Sequence, residues 1–292
     1  MFVVDTWKDY ELIDCSRGEK LERWKDIYLL RPDPQIIWDN GNLREKYKNI
    51  NAHYHRSNKG GGYWENLKET KETWTINYKN LTFNIKEMGF KHTGLFPEQA
   101  VNWDFMNNKI KEAKKDSNKE VKVLNLFAYT GGATVACLSA GASVVHVDSS
   151  RGMVEWAKEN VNSSNLSTSF VRYIVDDVLK FVKREIRRGN KYDAIIMDPP
   201  SYGRGANNEV WDIEKDLFNL VKLCNELLSE NPLFFIINTY TTGLSKEVFT
   251  NILKTTILKK HKGKVYSEEL VLPIKNSDLV LPCGITSRFE NE

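Results

Sequence analysis

Four apolar runs in the C-terminal two-thirds of the chain break off at residues able to hold a polar ligand. "VLNLFA" leads into "YTGGAT", where Gly131 and Gly132 permit a tight turn and a close approach to the start of a helix. "SVVHVD" stops on Asp148, and a carboxylate at that position accepts hydrogen bonds from both hydroxyls of a ribose. Ser149 and Ser150 follow it, either one suited to capping a helix. "SFVRYIV" is followed by Asp176-Asp177, one suited to an exocyclic amino group such as that of adenine and the other to capping the next helix. "YDAIIMD" ends on Asp198 and continues Pro199-Pro200-Ser201-Tyr202-Gly203-Arg204-Gly205. Proline fixes φ and donates no N–H, so Asp198 is carried on rigid backbone beside acceptor carbonyls. That combination orients a nucleophile, and the carboxylate takes a proton if the nucleophile must lose one. Singly, each feature is an ordinary turn or cap. Together they occur in order at four successive strand ends, where open α/β sheets bind ligands.

The elements that position them alternate. Strands are expected at 121–128, 143–148, 169–175, 192–198 and 233–240, each followed by a helix: 132–140, 150–162, 177–188, 211–229 and 244–259. Apolar strands alternating with helices predict a parallel sheet covered on both faces. The chain closes on "VYSEELVLPI" and "LVLPCGITSRF" with no helix between them, so that pair is antiparallel. The expectation is an α/β fold with the Rossmann-like layout of a class I methyltransferase: a seven-stranded sheet with an antiparallel last strand. A dinucleotide-binding fold would add a sixth parallel strand and a GxGxxG turn, both absent here.

Residues 1–90 read as a small β-rich domain. "YELIDC", "KDIYLLR", "QIIWD", "TWTINY" and "LTFNIKEM" are strand-like, and 16–18, 32–34, Asn40-Gly41 and Lys79-Asn80 are turn signals. "NKGGGYW" (58–64) is a Gly-rich connection or a phosphate nest. Residues 91–119 form a linking segment, helical from Pro97 to Lys115 with lysines at its end, and 120–292 the α/β domain. The loop 203–205, with glycines on both sides of Arg204, is expected to be mobile.

Composition adds little. The 292 residues are 41% hydrophobic and 28% charged with net charge +3, which permits a nucleic-acid partner without requiring one. Cys15, Cys137, Cys224 and Cys283 are far apart, which fits a reduced, cytoplasmic setting. No metal site, signal peptide or membrane span is expected, and monomer and homodimer both remain open.

"VLNLFAYTGGATVACLSAGASVVHVDSSRGMVEWAKENV" resembles the cofactor-binding core of S-adenosylmethionine (SAM)-dependent methyltransferases. More narrowly, the chain from about residue 75 resembles the bacterial 23S rRNA cytosine-C5 methyltransferases of the large-subunit methyltransferase I type, including "HTGLFPEQAVNW" (92–103). The resemblance implies SAM as cofactor and an RNA substrate, above all ribosomal RNA. It implies that Asn125 and the backbone of Phe127, Ala128, Tyr129, Thr130 and Gly131 cradle the methionine part. Asp148 with Ser149 would hold the ribose, Asp176 or Asp177 the adenine amino group, and Val178 the adenine ring. Phe96 and Gln99 would close the site, with Asp198, Pro199 and Pro200 between donor and target.

Two departures from that family stand out. The residues before the β-rich region are too few for its N-terminal PUA-type RNA-binding module, so recognition is expected from the β-rich region or another subunit. C5 methylation of a pyrimidine uses a thiolate, and "NTYTTGLS" (238–245) after the fifth strand has no cysteine. Cys283 is expected to be a buried apolar residue. The amino-directed alternative has an Asp/Asn-Pro-Pro-aromatic motif. Here Ser201 follows the prolines, and the aromatic that would stack on a base, Tyr202, comes one later. The expected activity is SAM-dependent methylation of RNA. Methylation of a small molecule or protein, and a silent RNA-binding protein on the same fold, are the competing readings.

Overall fold

The computed structural model describes residues 1–57, 61–115, 120–205, 209–241 and 243–291. The chain divides into two compact units, Phe2–Ala100 with Val271–Cys283, and Val101–Leu270 with Met1 and Gly284–Glu292.

In the first unit, β1 (Phe2–Val3) precedes a five-stranded sheet of β2 (Tyr10–Ser16), β3 (Glu19–Trp24), β4 (Ile27–Pro32), β5 (Ala52–Arg56) and β6 (Gly62–Asn66), in that order. A one-turn helix, α1 (Leu43–Lys46), lies between β4 and β5, which pair in parallel; the other neighbours are antiparallel. β7 (Thr73–Tyr78) and β8 (Leu81–Lys86) form a separate hairpin. The expected strand at "QIIWD" (35–39) is not one. After Pro34 the chain folds back on the β2–β3 turn, where Gly18 N–H donates to Ile36 O and Arg17 N–H to Trp38 O. The pairing capacity of that segment goes to a turn. Conversely β3, β5 and β6 are strands that the polar segments "EKLERW", "AHYHR" and "GYWEN" do not announce. Residues 58–60 of the Gly-rich connection lie outside the described residues, and from Gly62 it is strand.

The second unit opens with α2 (Ala100–Lys115), following a 3-10 turn at Pro97–Gln99. Then come β9 (Lys122–Leu126), α3 (Gly132–Ser139), β10 (Ser143–Asp148), α4 (Arg151–Ser163), β11 (Val171–Val175), α5 (Val178–Arg188) and β12 (Ala194–Met197). A hairpin of β13 (Tyr202–Arg204) and β14 (Val210–Asp212) leads to α6 (Ile213–Leu227), β15 (Phe234–Thr239), α7 (Lys246–Thr256), β16 (Lys264–Pro273) and β17 (Val280–Glu290). The strand order is β16-β17-β15-β12-β9-β10-β11, with the two-residue β1 as an eighth strand beyond β16. β11, β10, β9, β12 and β15 are mutually parallel, and β17 runs antiparallel to β15. The five β–α repeats and the antiparallel close are as the periodicity predicts.

β12 and β15 are buried throughout and β9 at every residue after Lys122, as parallel strands covered on both faces must be. Leu124, Leu126, Ile195, Met197, Phe235 and Ile237 pack with Phe181, Leu217, Val221 and Phe249 in one core. The chain moves outward from β9 through β10 to β11, then crosses to the other side of β9 with β12. The switch point is therefore the crevice between the carboxyl ends of β9 and β12, the ligand position in open α/β sheets.

Candidate active site

Register puts the four strand ends at one level. Leu126 pairs with Val147 on one side and Met197 on the other, and Asp148 pairs with Val175. The residues that follow, Phe127, Asp176 and Asp198, thus emerge from the same edge as Asp148. Backbone bonds continue the ladder past the strands: Ala128 N–H to Val147 O at 3.0 Å, Asp176 N–H to Asp148 O at 3.1 Å, and Asp198 N–H to Leu126 O at 3.4 Å.

The β9–α3 loop is conformationally unusual. Phe127, Tyr129 and Gly131 have φ of 52°, 50° and 81°. Aromatic residues seldom adopt positive φ, at a cost on the order of 1 kcal/mol each. The neighbours hold them there. Asp148 Oδ2 accepts from Tyr129 N–H at 2.8 Å, and buried Asn160 on α4 donates to Thr130 O at 2.8 Å. A Cβ on Gly131 would lie 2.9 Å from Ala157 Cβ, and one on Gly132 2.9 Å from the Trp103 ring. Both glycines are thus required, the first by its φ and both by close packing.

Asp148 braces the loop and keeps acceptor capacity. Its Oδ1 accepts from Ser150 N–H and its Oδ2 from Tyr129 N–H, each at 2.8 Å. A carboxylate offers about four lone-pair positions, so two remain. Burial pushes its pKa up, against the pull of the two amides. Ser150, rather than Ser149, caps α4 through Met153 N–H. Asp177 caps α5 through Lys180 N–H at 2.9 Å. Asp176 accepts from Asp177 N–H and pairs with Arg184 at 2.5 Å. Val178 is buried in the core beneath, which leaves its side chain little surface for a ligand. Asn125 is also a layer down, donating to Thr134 Oγ1 at 3.0 Å.

The Asp198-Pro199-Pro200 segment is fixed from outside. Trp211 Nε1–H donates to Pro200 O at 2.7 Å, and its ring packs on that of Phe127 with centroids 5.0 Å apart. Ile213 N–H donates to Ser201 O at 3.1 Å, and the Ser201 and Thr241 hydroxyls bond at 2.7 Å. The loop expected to be mobile is a paired hairpin in its described part, with Tyr202 exposed and its hydroxyl accepting from Arg204 Nε–H at 3.4 Å. Phe96 and Gln99 belong to the other unit. There Gln99 is buried in the 3-10 turn, its N–H donating to Phe96 O, and Phe96 packs on the His92 ring.

A supporting layer escaped the sequence reading. Thr134, His146 and Asn160 are buried, and Thr134 Oγ1 meets His146 Nδ1 at 2.9 Å directly under the loop. Burial lowers the His146 pKa to about 3, so it is neutral. One signal was present: a histidine in the middle of the apolar run "SVVHVD" must find polar company.

The sheet order, the antiparallel β17 and the acids along one edge define a Rossmann-like methyltransferase fold. A family model described as S-adenosylmethionine-dependent methyltransferase matches residues 44–247, and the chain belongs to that family. SAM is its cofactor. The SAM-dependent methyltransferase from Agrobacterium tumefaciens superposes with a TM-score of 0.92 at 33% identity, covering 99% of this chain and 93% of that one. A putative methyltransferase, SMU.776, complexed with S-adenosylhomocysteine (SAH), shares the fold at a TM-score of 0.74 and 22% identity, over 98% of this chain and 76% of that one. Among curated proteins, the ribosomal RNA large subunit methyltransferase K/L of Syntrophotalea carbinolica is 31% identical over 187 residues, 63% of this chain and 25% of that protein. Its counterpart from Shewanella oneidensis is 31% identical over 220 residues, 74% of this chain and 28% of that one. The chain spans about a quarter of the length of these relatives. Among the described residues, no helix is long and apolar enough to cross a membrane.

The residues present fit SAM. The glycine cradle admits backbone approach where a Cβ would collide, and Asp148 has two acceptor positions left at the end of the neighbouring strand.

Proposed function

We propose that this methyltransferase acts on ribosomal RNA and modifies a nitrogen of a base held by Asp198. The observation that carries the reading is the Asp-Pro-Pro segment at the switch point, one strand from the glycine loop and locked by Trp211. The curated relatives' names support RNA as the substrate class. When bound, SAM supplies an electrophilic methyl group. The chain's own residues then bind and orient. The Phe127–Gly131 backbone takes the methionine part. Asp148 accepts from the ribose hydroxyls, and Asp177, through the oxygen its cap leaves over, accepts from the adenine amino group. Asp198 accepts a hydrogen from the target nitrogen and takes its proton where one must leave; Tyr202 stacks on the base. With reaction partners so placed, proximity and orientation carry most of the acceleration. The first unit, with its β-rich residues 1–90, would recognise the RNA.

C5 chemistry on cytosine is disfavoured by the thiols. Cys15, Cys137 and Cys224 are buried and Cys283, expected to be buried, is only partly so, and desolvation pushes all four pKa values up, away from the thiolate that C5 addition needs. A closed apolar pocket would favour a small-molecule substrate; the exposed Tyr202 at the crevice favours a macromolecular one.

The test uses labelled SAM and undermodified ribosomal RNA, followed by digestion and identification of the nucleoside. An N-methylated base is expected. Asp198→Ala is expected to abolish transfer while SAH binds as in the wild type. Recovery of 5-methylcytidine would overturn the nitrogen assignment.

A further inference from the structure

We propose that the N-terminal unit binds a divalent transition-metal ion, Zn2+ foremost, through His53, His55 and Glu65. Sequence composition announces no such site, because its ligands come from two strands. His53 and His55 are two apart on β5 and so project from one face, with ring centroids 4.0 Å apart. Glu65 on β6 is the register partner of His53. One donor atom from each of the three lies within 4.8 Å of the others. Two imidazoles and a carboxylate form a Zn2+ ligand set that leaves a fourth position for water.

Hydrogen bonds identify which nitrogen faces the site. The His53 Nε2 lies 2.6 Å from Glu19 Oε1; a carboxylate only accepts, so Nε2 carries the proton. The other ring nitrogen, Nδ1, faces Arg44 Nη1 at 3.5 Å, and a guanidinium only donates, so Nδ1 presents its lone pair. This is the carboxylate–histidine arrangement that fixes the tautomer of metal-bound imidazoles. His55 Nε2–H donates to Glu65 Oε2 at 2.8 Å, and Tyr63 stacks on its ring at 5.2 Å. For His55 to ligate through Nε2, its proton moves to Nδ1 with no net loss.

The cluster already holds a cation. Arg44 on α1 meets both Glu65 oxygens, at 2.6 and 2.8 Å, and its Nη1 sits beside the His53 lone pair. The ion would take the place of this guanidinium nitrogen, and Arg44, on a half-exposed side chain, would swing out.

The experiment uses the untagged full chain, stripped with chelator and titrated with Zn2+ alone by calorimetry and with Co2+ alone by visible absorption. One ion per chain and an intense Co2+ spectrum of low coordination number are expected. His55→Ala and Glu65→Gln should each abolish that spectrum with circular dichroism unchanged. Glu19→Gln should weaken binding roughly 10-fold or more, as loss of a partner behind a ligating histidine does. Arg44→Met should tighten it by roughly 1.5- to 5-fold, since an exposed ion pair contributes about 0.2–1 kcal/mol. No saturable binding in either the wild type or Arg44→Met would overturn the proposal. So would binding that persists in the His55→Ala, Glu65→Gln double variant.

Discussion

Asp148→Asn separates the loop-bracing role of this carboxylate, seen in its two amide bonds, from the ribose-binding role proposed for it. The two oxygens each accept one backbone amide at 2.8 Å, from Tyr129 and Ser150. An asparagine keeps one acceptor oxygen and turns an NH2 toward the other amide, so one buried bond becomes a donor–donor conflict. The stability cost is about 1–3 kcal/mol. The ligand loses at least one hydrogen bond to a charged acceptor, about 1.5–3 kcal/mol, or roughly 10- to 150-fold in Kd. Urea unfolding reads the first effect and calorimetric titration with SAH the second. SAH affinity within about twofold of wild type, alongside lost stability, would refute the ribose role and leave Asp148 a brace for the loop. The two measurements should also run oppositely with pH. Burial raises the Asp148 pKa. Its contribution to stability in the ligand-free protein is therefore present at low pH and is lost as pH rises through the raised value. Ribose hydroxyls donate to the charged form, so SAH binding weakens as pH falls through that same value. Asp148→Asn should flatten both slopes.

Gly131→Ala imposes a left-handed alanine at φ 81° and a 2.9 Å approach to Ala157 Cβ, and should cost about 1–2 kcal/mol for the conformation alone. Adding Ala157→Gly should recover the packing part and leave the rest, as chemical denaturation will show. Trp211→Phe removes the indole bond to Pro200 O and should cost about 1 kcal/mol of stability; methyl transfer should fall while SAH affinity holds, because phenylalanine keeps a ring against Phe127 while the prolines lose their clamp. His146, with its pKa lowered to about 3 by burial, contributes stability that is whole above its ordinary value of 6.5 and is lost as pH falls toward 3. Unfolding free energies at pH 7 and 5 should therefore differ less in His146→Gln than in the wild type.

The α/β unit was legible because its signals are redundant. "AIIM" and "FFII" are buried at every position, and no other element accommodates apolar runs that short and dense. The strand-end acids stood out by interrupting those runs. The N-terminal sheet hid for the opposite reason. β3 and β5 carry charged residues that are satisfied locally, Arg23 by Glu11 and His53 by Glu19, so their alternation reads as a polar loop. Pairing partners distant in sequence, not residue type, make them strands.

The β9–α3 loop shows why candidate residues can be picked out from sequence while their backbone geometry cannot. Nothing in phenylalanine or tyrosine requests positive φ, yet Phe127 and Tyr129 both adopt it beside the one glycine that permits it easily. The cause lies 19 and 30 residues further along the chain, in Asp148 drawing in Tyr129 N–H and Asn160 drawing in Thr130 O. The loop is strained by its neighbours, and the strain persists only while they hold it. It follows that Asp148, the acid proposed to meet the ligand, also shapes the loop proposed to cradle it. On the proposed binding mode, donors added to Asp148 would stiffen the same loop the ligand rests on, which makes the proposed cradle and ribose contact one cooperative unit and not two independent sites.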